Sequence, residues 1–109
     1  MTEETSSLKV EVGTEGDETV IGLVGELDLA TAPELWAAID GAIATGHMHL
    51  VLDLRDLSFV DSTGLGVFVR AGKDLRAADG GLALRSPGER VAKLLEITRL
   101  EGCSRSAEG

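Results

Sequence analysis

The chain has 109 residues, 43% of them apolar, enough for the core of one ordinary domain. Ten Lys and Arg against nineteen Asp and Glu give a formal charge of −9. That surface disfavours direct binding to nucleic acid and suits a partner with a basic patch, although the same charge also serves plain solubility.

Residues 1–7 are polar and read as an arm without fixed structure. Leu8-Lys9-Val10-Glu11-Val12 alternates with period two, the pattern of a half-exposed strand. Gly13 to Asp17 reads as a turn and Thr19 to Val24 as a second, largely apolar strand, so the two are expected to pair as an antiparallel hairpin. Gly25-Glu26-Leu27-Asp28 reads as a polar loop leaving the sheet. Thr31 with Glu34 three residues on matches a capping box, which starts a helix whose apolar positions are Leu35, Trp36, Ile39, Ala42 and Ile43, and Gly46 closes it.

His49 to Leu54 is a nearly continuous apolar run, as expected of an interior strand covered on both faces. A loop holding Leu57 and Phe59 leads to Asp61-Ser62-Thr63-Gly64. Asp61 is a good N-cap and puts Ser62 and Thr63 in the first turn of a helix. Leu65, Phe68, Val69, Gly72 and Leu75 make its apolar stripe, and Gly80-Gly81 ends it. Leu82 to Leu84 is a short strand. Ser86-Pro87-Gly88-Glu89 matches a second capping box with Pro at the first helical position, and Val91, Leu94 and Leu95 form the buried face of the helix that follows. The tail from Gly102 is small and polar, the composition of a disordered end.

The order ββαβαβα requires crossover connections and predicts an α/β domain over residues 8–100, between an arm (1–7) and a tail (101–109). Its sheet is four-stranded and mostly parallel, with one antiparallel edge strand. No apolar run reaches ~18 residues, so no spanning helix is expected, and MTEETSSLKV lacks a secretory pattern. The single Cys103 cannot form an internal disulfide, which fits a reducing compartment; the expected location is the cytoplasm.

Sites in open α/β sheets lie beyond the carboxyl ends of the strands. Two loops leave such ends, Gly25–Asp28 and Leu57–Gly64, and crossover geometry puts both on one rim. A helix N-terminus carries unpaired N–H groups and a partial positive charge, so a serine there can bear a phosphate without unfolding the helix. The added charge of roughly −1.5 to −2 would change binding at that surface. The plainer alternative is that Ser62 and Thr63 only open the helix.

Enzyme readings find little support. There is no phosphate-binding glycine loop, Ser62 is not in a nucleophile elbow, and the two candidate bases, His47 and His49, lie at the opposite end of a strand, roughly 15–20 Å from Ser62 at strand rise. His47-x-His49 lacks a third metal ligand. Asp53, Asp56 and Asp61 read as turn and cap residues rather than an acidic site. Trp36 and Phe68 read as core. Phe59 also reads as core, with an exposed apolar contact patch as the alternative.

Val51-Leu52-Asp53-Leu54 followed by Leu57-Ser58-Phe59-Val60-Asp61-Ser62-Thr63-Gly64-Leu65-Gly66-Val67 resembles the signature of the STAS domain, and within it the bacterial anti-sigma factor antagonists (anti-anti-sigma factors). Gly25-Glu26-Leu27-Asp28 with Ala32-Pro33 is similar to the family's first loop; Gly80-Gly81-Leu82 and Val91 to Leu100 match its C-terminal half, with Arg99 where the family usually has Gly. The resemblance implies a non-enzymatic, partner-switching phosphoprotein of transcription regulation, in stress response or sporulation. Its unphosphorylated form binds an anti-sigma factor that is also a GHKL-type serine kinase, and a sigma factor is released. The kinase modifies Ser62, with Thr63 a minor acceptor at most, and a PP2C-type phosphatase reverses the step. ATP belongs to the kinase; this chain needs no cofactor or metal. The partner-binding face implied comprises Glu26, Asp28, Phe59, Asp61, Ser62, Thr63, Gly64 and Leu65, with Asp28 assisting recognition by the kinase. No nucleic acid, membrane or second copy is expected as a partner. The alternative is a STAS interaction module in another bacterial signalling assembly.

Overall fold

The structure, a computed structural model, describes residues 7–98. The elements are β1 (Leu8–Glu15), β2 (Glu18–Leu27), α1 (Ala32–Ala44), β3 (His49–Val60), α2 (Ser62–Ala77), β4 (Gly81–Arg85) and α3 (Glu89–Thr98). They form one sheet in the order β1-β2-β3-β4, with β1 antiparallel to β2 and the other pairs parallel. That is the α/β arrangement expected. Residues 1–6 of the arm, Arg99, Cys103 and the tail lie outside the described residues.

Period-two burial builds the sheet's inner face. Ile21 and Leu23 on β2, Leu50, Leu52 and Leu54 on β3, and Leu82 and Leu84 on β4 are enclosed. Against them lie Leu35 and Ile39 of α1, and Val67, Phe68, Ala71 and Leu75 of α2. Val91 and Leu95 of α3 join the same core, with Leu94 half-buried beside them. Each fully enclosed Leu or Ile contributes about 1.5–3 kcal/mol. Trp36 is half-buried and packs on the edge of this core rather than inside it.

Several element ends differ from the sequence reading. β1 runs on through Gly13-Thr14-Glu15, and the turn is only Gly16-Asp17, with Gly16 at φ +60°. A two-residue loop with Gly first suits the twist of a hairpin, so the strands need no longer connection. β2 continues through Gly25-Glu26-Leu27, which are not loop, and β3 runs six residues past Leu54 to Val60. The extended part of β3 carries an extra residue at each of two register shifts, opposite Gly22–Val24 and opposite Gly25–Glu26 of β2, and these bulges break the alternation that marks a strand.

The helices are also re-bounded. The buried positions of α2 are Gly64, Val67, Phe68, Ala71, Gly72 and Leu75; Leu65 and Val69, expected at the centre of the stripe, are only half-buried. Asp79, at φ +64°, ends α2 in place of the glycine pair, and the N–H of Gly80 donates to the Leu75 carbonyl at 2.7 Å. Gly46 closes α1 as expected, at φ +91°. The second capping box does not form. Ser86 sits at φ +54°, not in the extended backbone an N-cap requires, and α3 begins at Glu89 with the Gly88 carbonyl accepting from the Ala92 N–H.

One ion-pair network ties the hairpin tip to β4. The Arg85 guanidinium donates to both carboxylate oxygens of Glu15 (3.1 and 3.4 Å) and to Oδ2 of Asp53 (3.3 Å), with Arg55 3.8 Å from Asp53. Asp53 and Asp56 are therefore strand residues, not turn formers. Burial by itself would raise the Asp53 pKa, but the Arg55 backbone N–H and the Arg85 guanidinium outweigh it and hold the carboxyl below its ordinary value. Arg85→Met is expected to lower stability by about 1–3 kcal/mol, because it leaves the Asp53 carboxylate short of a charged partner. A depressed carboxyl stabilises fully above its unfolded value. The gap between parent and variant should therefore be constant at neutral pH and narrow as the pH falls below 3.8. Urea denaturation across pH checks both.

Candidate functional site

The carboxyl ends of β2 and β3 deliver two short segments to one rim, Asp28–Thr31 and Asp61–Gly64. The Asp61 N–H donates to the Leu27 carbonyl at 3.1 Å, which extends the strand pairing up to the start of α2.

Asp61 then holds both segments. Its backbone is extended (φ −104°, ψ −174°), as an N-cap requires, and Oδ1 accepts from the Gly64 N–H at 3.0 Å. Its other oxygen, Oδ2, accepts from the Leu29 N–H at 3.3 Å, 32 residues away in sequence. One carboxylate thus caps α2 and pins the neighbouring loop.

The loop into α1 is fixed from within as well. Asp28 Oδ1 accepts from the N–H groups of Ala30 and Thr31 at 3.0 and 3.1 Å. The Thr31 hydroxyl donates to the Glu26 carbonyl at 3.0 Å and accepts from the Asp28 N–H at 2.9 Å. Thr31 is therefore buried and is not the cap of a capping box. Its backbone is already helical, its hydroxyl is engaged with the Glu26 carbonyl and the Asp28 N–H, and the Glu34 N–H donates to the Thr31 carbonyl instead.

The expected site residues fall as follows. Ser62 is exposed as the first residue of α2, and Thr63 behind it is half-buried. Asp28 and Asp61 are half-buried and face one loop, and Glu26 is exposed. Phe59 is 43% exposed, not core: it lies opposite Glu26 in the β2–β3 register, with its ring on the outer surface. Gly64 is buried and offers a partner no side chain. A Cβ there would stand 2.7 Å from Leu27 Cγ and Val60 Cγ2, so this glycine lets α2 start close against the sheet. Leu65 is half-buried against the core.

His47 and His49 are at the far end of β3. Because that strand has twelve residues, the separation from Ser62 is roughly 35 Å along it, about twice the expected value. Among the described residues no group of three or more His, Cys, Asp or Glu could hold a metal ion, and no helix is long and apolar enough to cross a membrane. Sequence reasoning missed Leu29, 73% exposed on the pinned loop; its only signal was an apolar residue between Asp28 and Ala30.

Comparison with known proteins gives a consistent set. A family model described as the STAS domain, Mlab, matches residues 10–105. The anti-sigma-B factor antagonist of Listeria monocytogenes is 40% identical over 84 residues, covering 77% of this chain and 74% of that one. The protein of the same name from Staphylococcus aureus is 33% identical over 103 residues, covering 94% and 95%. The Bacillus cell fate determinant SpoIIAA, solved in its phosphorylated form, is 28% identical with a TM-score of 0.70, over 92% of this chain and 90% of that one.

Proposed function

The chain belongs to the STAS domain family and, within it, to the anti-sigma factor antagonists, and from that premise we propose that it is a docking protein whose affinity is set by phosphorylation of Ser62. The unphosphorylated form binds an anti-sigma factor that is also a GHKL-type serine kinase, and the sigma factor is freed. The kinase, using its own ATP, phosphorylates Ser62, and docking is lost. A PP2C-type phosphatase restores the binding form. The chain works as a cytoplasmic monomer without cofactor and catalyses nothing itself.

One observation carries this reading. The Ser62 hydroxyl is exposed at the opening turn of α2, where the helix dipole accommodates an anion. A phosphate there leaves the core untouched. It also places a strongly hydrated charge beside Asp61 on the face a partner would cover, with no basic residue in the first turn of α2 to pair it. The structural relative solved in a phosphorylated form supports the same chemistry.

The test is incubation of the purified protein with candidate anti-sigma factor kinases and ATP, followed by mass mapping. The phosphate is expected on Ser62, with Ser62→Ala unlabelled and Thr63→Ala labelled as the parent is. A phosphate on another residue, or full labelling of Ser62→Ala, would overturn the assignment.

A further inference from the structure

Four large hydrophobic residues are notably exposed among those described: Val12, Val24, Leu29 and Phe59. Three of them belong to the site end of the sheet. Val24 pairs with Asp56 and Phe59 with Glu26 in the β2–β3 register, and the Leu29 N–H is bonded to Asp61. Leu29 is the most exposed of the four, at 73%.

Its setting is unusual for an exposed leucine. The backbone around it is held on both sides, by Asp28 Oδ1 through the Ala30 and Thr31 N–H groups, and by Asp61 Oδ2 through its own N–H. A side chain on so constrained a loop loses little backbone freedom on binding, so the apolar area it buries converts more fully into affinity. Asp28 directly precedes this apolar point, Asp61 bonds its N–H, and Glu26 is exposed at the end of the strand that leads to it, so its complement is an apolar recess with a basic border.

We propose that Leu29 is the apolar anchor of the docking face and seats in an apolar pocket, rimmed by Lys or Arg, on the anti-sigma factor kinase. This deepens the functional reading above and rests on it. Leu29 and its carboxylates divide the work: the side chain holds the complex, and the charges guide the approach. Full burial of one leucine corresponds to about 10- to 100-fold in Kd.

The experiment uses the full chain, unphosphorylated, and the purified kinase that labels Ser62, without ATP so that no transfer occurs. Titration calorimetry gives Kd at several salt concentrations. Leu29→Ala is expected to raise Kd about 10- to 100-fold with the same salt dependence as the parent and an unchanged melting temperature. Leu29→Met should recover most of the affinity, and Glu26→Gln should flatten the salt dependence. A Kd for Leu29→Ala within twofold of the parent overturns the anchor and leaves the functional reading standing. A parent that the kinase does not bind overturns both. A parent that sediments as a dimer, and a Leu29→Ala variant that does not, would assign the residue to a second copy of this chain and overturn the proposal.

Discussion

Ser62→Asp is expected to weaken docking to the anti-sigma factor kinase by about 2–4 kcal/mol, about 30- to 1000-fold in Kd, while melting at the parent's temperature. The two halves of this expectation have separate causes. Stability is retained because Ser62 is exposed and the cap of α2 is Asp61, whose bond to the Gly64 N–H does not involve the Ser62 side chain. Affinity is lost because the new charge at the opening turn of α2 must be stripped of water beneath the docked partner, beside the like charge of Asp61 and with no basic residue between Asp61 and Gly64 to pair it. Ser62→Ala removes the acceptor hydroxyl without adding charge and should bind as the parent does, even after incubation with kinase and ATP. Calorimetric titration of both variants decides the matter. Undiminished affinity for Ser62→Asp would show that charge at this turn is not what the partner senses.

Gly25→Ala is expected to cost about 3 kcal/mol or more, a fall in melting temperature on the order of 12–24 °C for a chain of this size. Two penalties coincide. Gly25 sits at φ +113°, a backbone conformation closed to residues with a Cβ. A Cβ built there would also meet the Ser7 carbonyl oxygen at 2.0 Å, and that oxygen accepts the Glu26 N–H at 2.9 Å. Relief would need backbone movement either at the start of β1, which is bonded to the Glu26 N–H, or at the end of β2, which leads into Asp28. Gly13→Ala is the control, since a Cβ there meets nothing within 4 Å. Thermal unfolding separates the two, and a loss under about 1 kcal/mol at Gly25 would mean that the β1 start yields easily.

The sheet order was legible because its signals are strong and local. The run from His49 to Leu54 is broken only by Asp53, and Asp61-Ser62-Thr63-Gly64 carries a cap that the structure contains. The strand ends were not legible. Arg55 to Val60 reads as loop because bulges interrupt the alternation and because four of its residues, Arg55, Asp56, Ser58 and Phe59, face outward. Phe59 was misread for the same reason: between Ser58 and Val60 an aromatic ring suggests core, and only the register with Glu26 turns it outward. Thr31 and Glu34 satisfied a capping pattern, yet the Thr31 hydroxyl turns back to the Glu26 carbonyl and the Asp28 N–H, and the Glu34 N–H goes to the Thr31 carbonyl instead. The apolar stripe of α2 was displaced because Gly64 does not count as hydrophobic, although its missing side chain is what admits Leu27 and Val60. The Arg85–Glu15 bond joins residues 70 apart through a twist of the sheet that no window of sequence contains.

The doubled role of Asp61 bears on timing. A carboxylate that seals one segment to the next braces this edge, so under the proposed switch nothing here has to refold or swing when Ser62 gains or loses its phosphoryl group. Any lag between modification and release then reflects dissociation of the complex and the turnover of the modifying enzymes, and a cell could tune its response by changing their abundance alone.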